Sequence, residues 1–307
     1  GLTIVLQVLI TFGALESVAG VRAVYVFGIV ASAAGMSLYL ARSFGEARLA
    51  EAENERKGHE LARARELQLS MLPRVLPEAA GLDLAAATHT ATEVGGDFYD
   101  VRSEGDGRLL VAFGDATGHG LAAGILVTAA KALFTSLPPG GPLPELLAGC
   151  GRVLAEMGLP RLRMCLALAR VSAREASVVS AAMPPVLVHR AATGDVQELG
   201  AGSLPLGSRA GGACEERRIA LGPGDTLLFA SDGFPELRSP TGEELGYDGA
   251  ARVFREAAAG ADATGVVAAL GEALVRFGGA RPLEDDVTFL VVRVVPGIGG
   301  GASATQK

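Results

Sequence analysis

Tryptophan is absent from this 307-residue chain, asparagine occurs once (Asn54), cysteine three times and histidine four times. Each scarcity excludes something. Cys150, Cys165 and Cys214 form no CxxC pair, and no His/Cys cluster has zinc spacing, so the thiols read as reduced and partly buried. Bases are outnumbered: 27 Lys and Arg against 34 Asp and Glu give a net charge of −7. That balance excludes the basic footprint of a nucleic-acid-binding protein. What is abundant is apolar, with 49% hydrophobic residues and a positive mean hydropathy.

The apolar excess sits at the front. Ala23–Ala41, "AVYVFGIVASAAGMSLYLA", runs 19 residues without a charge. As a helix it covers about 28 Å, close to the roughly 30 Å hydrocarbon core of a bilayer. Leu2–Leu15 is apolar too, but shorter. Residues 1–42 therefore read as transmembrane helices, and a start at Gly1 rather than Met reads as the end of a longer membrane region. Arg42 and Arg48 come after the second span, while Glu16 and Arg22 before it cancel. The positive excess places the C-terminal side in the cytoplasm, with the chain in the inner membrane.

Residues 43–72 read as a helical linker. Between Arg42 and Glu66 six bases balance six acids, and most residues are strong helix formers. Leu40, Phe44, Ala47, Leu61 and Leu72 outline an apolar seam whose middle is polar. The segment is either a solvated helix or a weak coiled coil joining two copies into a homodimer. Pro73 and Pro77 end it.

From residue 73 to 295 the pattern becomes short strands and turns. "DLAAATHT" is a strand; "DFYDVRS" and "RLLVAF" flank "EGDG" as a hairpin. Helices are expected at Leu121–Leu137, at "PELLAGCGRVLAEMG", and near Asp248–Ala258 and Asp262–Phe277. Strands are expected at "MCLALARVS", "EASVVSAAM", "VLVHRA", "EERRIAL", "TLLFAS" and "DVTFLVVRVV". Residues 296–307 read as a disordered tail.

Acids recur at the ends of these strands. "LLVAF" runs into Asp115 and "TLLFAS" into Asp232; Asp285 and Asp286 precede the last strand. If that strand is antiparallel to the other two, these carboxylates gather at one edge of the core. A hairpin turn centred between Gly105 and Asp106 sets Asp97 opposite Gly114, beside Asp115. Four or five carboxylates at one locus cannot all stay ionised without compensation, and no Lys or Arg adjoins the motifs. Oxygen-only ligation suits a hard cation, Mg²⁺ or Mn²⁺. Any one Asp-Gly pair is an ordinary turn; four acid motifs at apolar strand ends are not.

In this order, "LQLSMLPRVLP", "EVGGDFYD", "FGDATGHG", "MPPVL", "GSLPLG", "ASDGFPE" and "EDDVTFLVV" resemble the SpoIIE-type (RsbU-like) branch of the metal-dependent serine/threonine protein phosphatases, the PPM superfamily. The resemblance spans Leu67 to about Val294. It implies an α+β fold, two packed antiparallel sheets flanked by helices, with two Mn²⁺ or Mg²⁺ ions at one end. It implies that Asp115 bridges both ions, that Ala116 offers its carbonyl to one, and that Asp232 and Asp285 ligate the other. Asp97 is implied as a ligand or as an orienter of bound water. The implied reaction is hydrolysis of a phosphoserine or phosphothreonine by an activated water, with a phosphorylated STAS-domain anti-sigma-factor antagonist as substrate. Met183 stands where the family often has histidine, which puts a substrate contact in doubt. His119 comes soon after Asp115, but the loop lengths differ and no role is carried over.

Three other readings compete with this one. "GGDFY" resembles the diguanylate-cyclase signature, but Phe98 stands where that motif needs an acid. A sensor histidine kinase matches the spans, His59 and "GHGLAAG", yet has no asparagine-rich ATP-binding helix here. A degenerate phosphatase module that only binds a partner is the third, and the retained Asp97, Asp115, Asp232 and Asp285 speak against it.

Overall fold

The structure is a computed structural model that describes residues 2–11, 19–91, 95–118, 120–159, 162–200, 202–208 and 214–295. It divides into two units, residues 1–60 and 61–307.

The first unit is helical. The opening apolar stretch forms α1, Leu2–Thr11; residues 12–15 of that stretch lie outside the described ones. The second helix, α2, runs from Ala19 to Met71 without a break, so the apolar segment and the charged linker are one element. Pro73 sets its end two residues earlier, because proline disfavours helical backbone in the residue before it. Among the described residues, one helix stretch, Ala23–Met71, is long and apolar enough to cross a membrane. Its apolar side chains are exposed: Phe27 by 75%, Tyr39 by 67% and Val24 by 63%.

The second unit holds the strands. They are β1 (Leu82–His89), β2 (Asp97–Gly105), β3 (Arg108–Ala116), β4 (Met164–Val171), β5 (Glu175–Ala181), β6 (Val186–His189), β7 (Val196–Leu199), β8 (Arg217–Ala220), β9 (Thr226–Ala230) and β10 (Val287–Val294). They form two five-stranded antiparallel sheets, ordered β1-β10-β9-β6-β7 and β2-β3-β4-β5-β8. Four helices complete the unit: α3 (Leu121–Ser136), α4 (Leu143–Glu156), α5 (Gly246–Ala258) and α6 (Ala263–Gly278). This is the expected α+β sandwich.

Strand periodicity builds three apolar layers. In β3, Leu109, Val111 and Phe113 enter the core between the sheets, with Leu290 and Val292 of β10 and Leu227 and Phe229 of β9. The alternate residues Leu110 and Ala112 face out onto α3 and α4, joining Leu126, Phe134 and Leu147. On the other sheet, Val287, Phe289 and Val291 face α5 and α6, against Phe254, Val266 and Leu270. Both faces of each central strand are covered, which is why these strands are apolar throughout rather than alternating.

Two expectations are corrected. The β2–β3 turn is centred on Asp106 and Gly107, both with positive φ (51° and 71°), the backbone of a type I′ turn. That moves the turn one position later than expected, and a bulge between Ser103 and Gly105 shifts the register again. Asp97 therefore faces Asp115 and Phe98 faces Gly114. The sequence reading also omits β7. Its four residues, "VQEL", form an edge strand with exposed Gln197 and Glu198, too short and polar to register as a strand.

Candidate active site

Strand parity decides which way each acid points. Asp115 shares a face with Val111 and Phe113, so its side chain belongs to the space between the sheets, at its end. Asp97 shares a face with Tyr99 and Val101 and lies across from it. On the facing sheet, the same count brings in Ser231 beyond Phe229, and Thr288 and Asp286 before Leu290. The acids thus gather at one end of the core from two sheets: Asp97 and Asp115 from one, Asp232, Asp285 and Asp286 from loops bordering the other.

Local hydrogen bonds fix these loops. Ser231 N donates to Thr288 O at 3.2 Å, and Thr288 N donates to Ser231 Oγ at 2.9 Å. Glu236 N donates to Asp232 O at 3.0 Å, turning the chain just after the acid. Asp286 N donates to Asp285 Oδ1 at 2.8 Å, while Ala91 N donates to Asp286 Oδ1 at 2.8 Å. Asp286 is buried (4% exposed) and Asp285 is exposed, so adjacent acids face different surroundings. From sequence Asp286 is one of the gathering carboxylates but not a ligand; its parity with Leu290 is the signal that turns it inward.

At Gly96 and Gly233 the chain passes too close to its neighbours for a side chain. A Cβ on Gly96 would collide with Asp115 Oδ1 and come within 2.6 Å of Ala116 O. A Cβ on Gly233 would collide with the carbonyl oxygen of Asp286. Ala116 N donates to Gly96 O at 2.9 Å, so Gly96 and the Asp115–Ala116 backbone form one close crossing.

The electrostatics reflect this convergence. Asp115 is pushed up to about 8 by burial and then by the charges of Asp232, Asp285 and Asp286. Asp97 is held well above the usual carboxylate range, chiefly by burial; the Thr288 hydroxyl opposes this and the Asp115 charge adds to it. Burial, then Asp285, raises Asp232. Cys165, paired with Asp115 across β3 and β4, is pushed to about 11 by burial and then by Asp115 and Asp232. These acids resist ionisation together and would ionise if a cation joined them.

The residues fit such a cation. Asp97 Oδ2 is buried with no hydrogen-bond partner among the described residues. The cradle at Gly96 leaves Asp115 Oδ1 and the Ala116 carbonyl side by side. The donors are oxygens, the choice of Mg²⁺ or Mn²⁺. Among the described residues, no three acidic, His or Cys side chains already stand as a closed ligand shell.

Other residues fall into place around the acids. Asp100 is compensated by a base the sequence neighbourhood does not show: Lys131 Nζ of α3 lies 2.6 Å from Asp100 Oδ2. Gln68 near the end of α2 is buried and donates to Gly95 O at 2.6 Å, and Arg65 hydrogen-bonds the Thr90 hydroxyl. Met183 packs in the core between the sheets, so its side chain serves the fold. Glu93 and His119 lie outside the described residues.

Comparison with known proteins bears on the family and the fold. The sequence model of stage II sporulation protein E (SpoIIE) matches residues 105–295. The SiaA PP2C domain of Pseudomonas aeruginosa superposes with a TM-score of 0.67 at 23% identity, covering 79% of this chain and 98% of that one. The RsbU and RsbW domains of a Mycobacterium tuberculosis protein give 0.63 at 26% identity, covering 73% and 63%. The PP2C phosphatase domain with a regulatory fragment of SpoIIE from Bacillus subtilis gives 0.59 at 20%, covering 71% and 65%. No curated protein matches the chain significantly.

Proposed function

Since this chain belongs to the stage II sporulation protein E family and carries a PPM-type phosphatase domain, we propose that it hydrolyses phosphoserine or phosphothreonine on a regulatory protein with the help of two Mn²⁺ or Mg²⁺ ions. The observation that carries this reading is the position of Asp115 opposite Asp97 on one sheet, with the loops that carry Asp232 and Asp285 tied together on the other by the Ser231 hydroxyl donating to the Asp286 carbonyl at 3.2 Å. Asp115, the Ala116 carbonyl, Asp232 and Asp285 would hold the ions, and Asp97 would ligate or orient water beside them. Asp286, buried behind Asp97, fixes the Ala91 backbone and adds negative charge. When bound, such ions lower the pKa of water and neutralise phosphoryl charge. The chain's own part is to hold the carboxylates on a rigid sandwich and to let the backbone approach at Gly96 and Gly233. Turnover of a phosphoserine peptide is expected with Mn²⁺ or Mg²⁺ and is expected to vanish in excess EDTA. Activity that persists with chelator would refute the metal reading.

The substrate class proposed is a phosphorylated STAS-domain protein. Its support is the likeness, at 26% identity, to a structure of RsbU and RsbW domains. A phosphorylated STAS protein left untouched while a phosphopeptide is cleaved would remove it.

Membrane attachment and pairing are proposed for the N-terminal part. The support is the exposed apolar surface of Ala23–Ala41, which water alone would leave unsatisfied. The arginines after it put the phosphatase on the cytoplasmic side of the inner membrane. The intact chain is expected to stay in the membrane pellet through a carbonate wash; its release would overturn the span. The linker part of α2 would join two copies.

A further inference from the structure

A cavity of about 150 Å³ opens beside the acids, lined among others by Gly233, Leu237, Arg238, Arg281, Glu284 and Asp285. It is continuous with the site, because Gly233 comes directly after Asp232 and Asp285 is itself one of the converging acids. Its edge holds an arrangement the reaction does not use. Glu284 Oε1 lies 2.5 Å from Arg281 Nη2, and Glu284 Oε2 lies 3.7 Å from Arg238 Nε. One carboxylate thus spans two guanidinium groups. These side chains are 40–57% exposed, and exposed ion pairs are weak enough to exchange.

We propose that Arg238 and Arg281 form a seat for an acidic side chain of the phosphoprotein substrate, close in its sequence to the phosphorylated residue, and that Glu284 fills this seat until substrate displaces it. The inference rests on the phosphatase reading for the nature of the substrate. Guanidinium forks match a carboxylate in geometry, and Glu284 shows that a carboxylate fits between these two. The surroundings make the seat selective. Glu236 and Asp285 line the same cavity, so an acidic segment is repelled wherever it does not meet the arginines. Glu284 precedes Asp285 directly, so the carboxylate that fills the seat is carried by the residue next to the proposed ligand. A substrate acid within one to three residues of the phosphoserine reaches it, at about 3.3 Å per extended residue.

The test compares two phosphoserine peptides, one with Asp on both sides of the phosphoserine and one with Ala there. The full-length chain is assayed with Mn²⁺ for kcat/KM and, separately, by fluorescence anisotropy for binding. The wild type is expected to favour the acidic peptide by about tenfold, the size expected from two partly exposed charge contacts. In the Arg238→Ala/Arg281→Ala double variant the ratio falls to about one, and Arg281→Lys keeps part of it. Glu284→Gln, which removes the carboxylate between the two arginines and leaves Glu244 Oε2 3.7 Å from Arg238 Nη2, lowers KM for the acidic peptide by about threefold. The ratio is internal, so partial misfolding lowers both values and leaves it unmoved. A wild type without preference, or a double variant that keeps it, overturns the proposal. Arginine-dependent binding of the acidic peptide without turnover would uphold the seat and refute the phosphatase reading instead.

Discussion

Asp115→Asn is expected to lose turnover by roughly a thousandfold or more at saturating Mn²⁺, with the fold intact. Asparagine keeps the size and one acceptor oxygen, and removes the charge that faces Asp232, Asp285 and Asp286. Asp232→Asn is expected to behave alike. The same substitution has a second, opposite effect. In the metal-free wild type Asp115 binds its proton up to a pH of about 8, against 3.8 for an ordinary aspartate. Between those values the folded chain holds more protons than the unfolded one, so stability is greatest at the acid end and falls as pH rises toward 8. Thermal denaturation in EDTA should show a melting temperature that drops from pH 5 to pH 8 in the wild type, and drops less in Asp115→Asn. A near-wild-type rate in the variant would remove Asp115 from the ligand set. A flat pH profile of stability would show that neither burial nor the neighbouring charges raise Asp115.

Inserting alanines after Lys57 is expected to change phosphatase activity periodically. α2 has no break from Ala19 to Met71, and its exposed face carries Glu53–Lys57 and Arg56–Glu60 pairs one turn apart. Within its charged part, from Arg42 on, Gly45 and Gly58 are the weak points, each costing about 1 kcal/mol relative to alanine. Its last turns bind the walls of the site, through Gln68 on the Gly95 carbonyl and Arg65 on Thr90. They also reach α3, where the Thr128 hydroxyl lies 3.6 Å from Met71 Sδ. Since α3 begins shortly after Asp115, a turn of α2 can reposition both sides of the Gly96 crossing. Each inserted residue rotates the downstream part of the helix by about 100°. One or two insertions should change activity several-fold in the full-length chain, and four should bring it near its starting value. Indifference to insertion length would make α2 a tether only.

Much of this site is legible in the chain itself. The acids at strand ends, the oxygen-only donor set and the glycines beside them can be read from residue types and a two-residue period, because a strand's side chains alternate whatever surrounds it. So can the membrane-length apolar run and the charged helix after it, which depend on local composition. The exchange of Gly114 for Asp115 opposite Asp97 shows the limit. Register depends on one turn and one bulge, and a single residue of error moves every partner.

Other features were settled only by packing. Sequence neighbours suggested that no base adjoins the acids; helix packing lays Lys131 on Asp100 and sets Arg238 and Arg281 around Glu284. The separation of Asp285 from Asp286, one exposed and one buried, came from a loop held by Ala91 across 195 positions of chain. Sequence determines which chemistry the chain can offer, since ligand type and strand period are local. Tertiary structure decides which groups meet, since burial and charge act through space, and proximity in space here joins segments far apart in the chain.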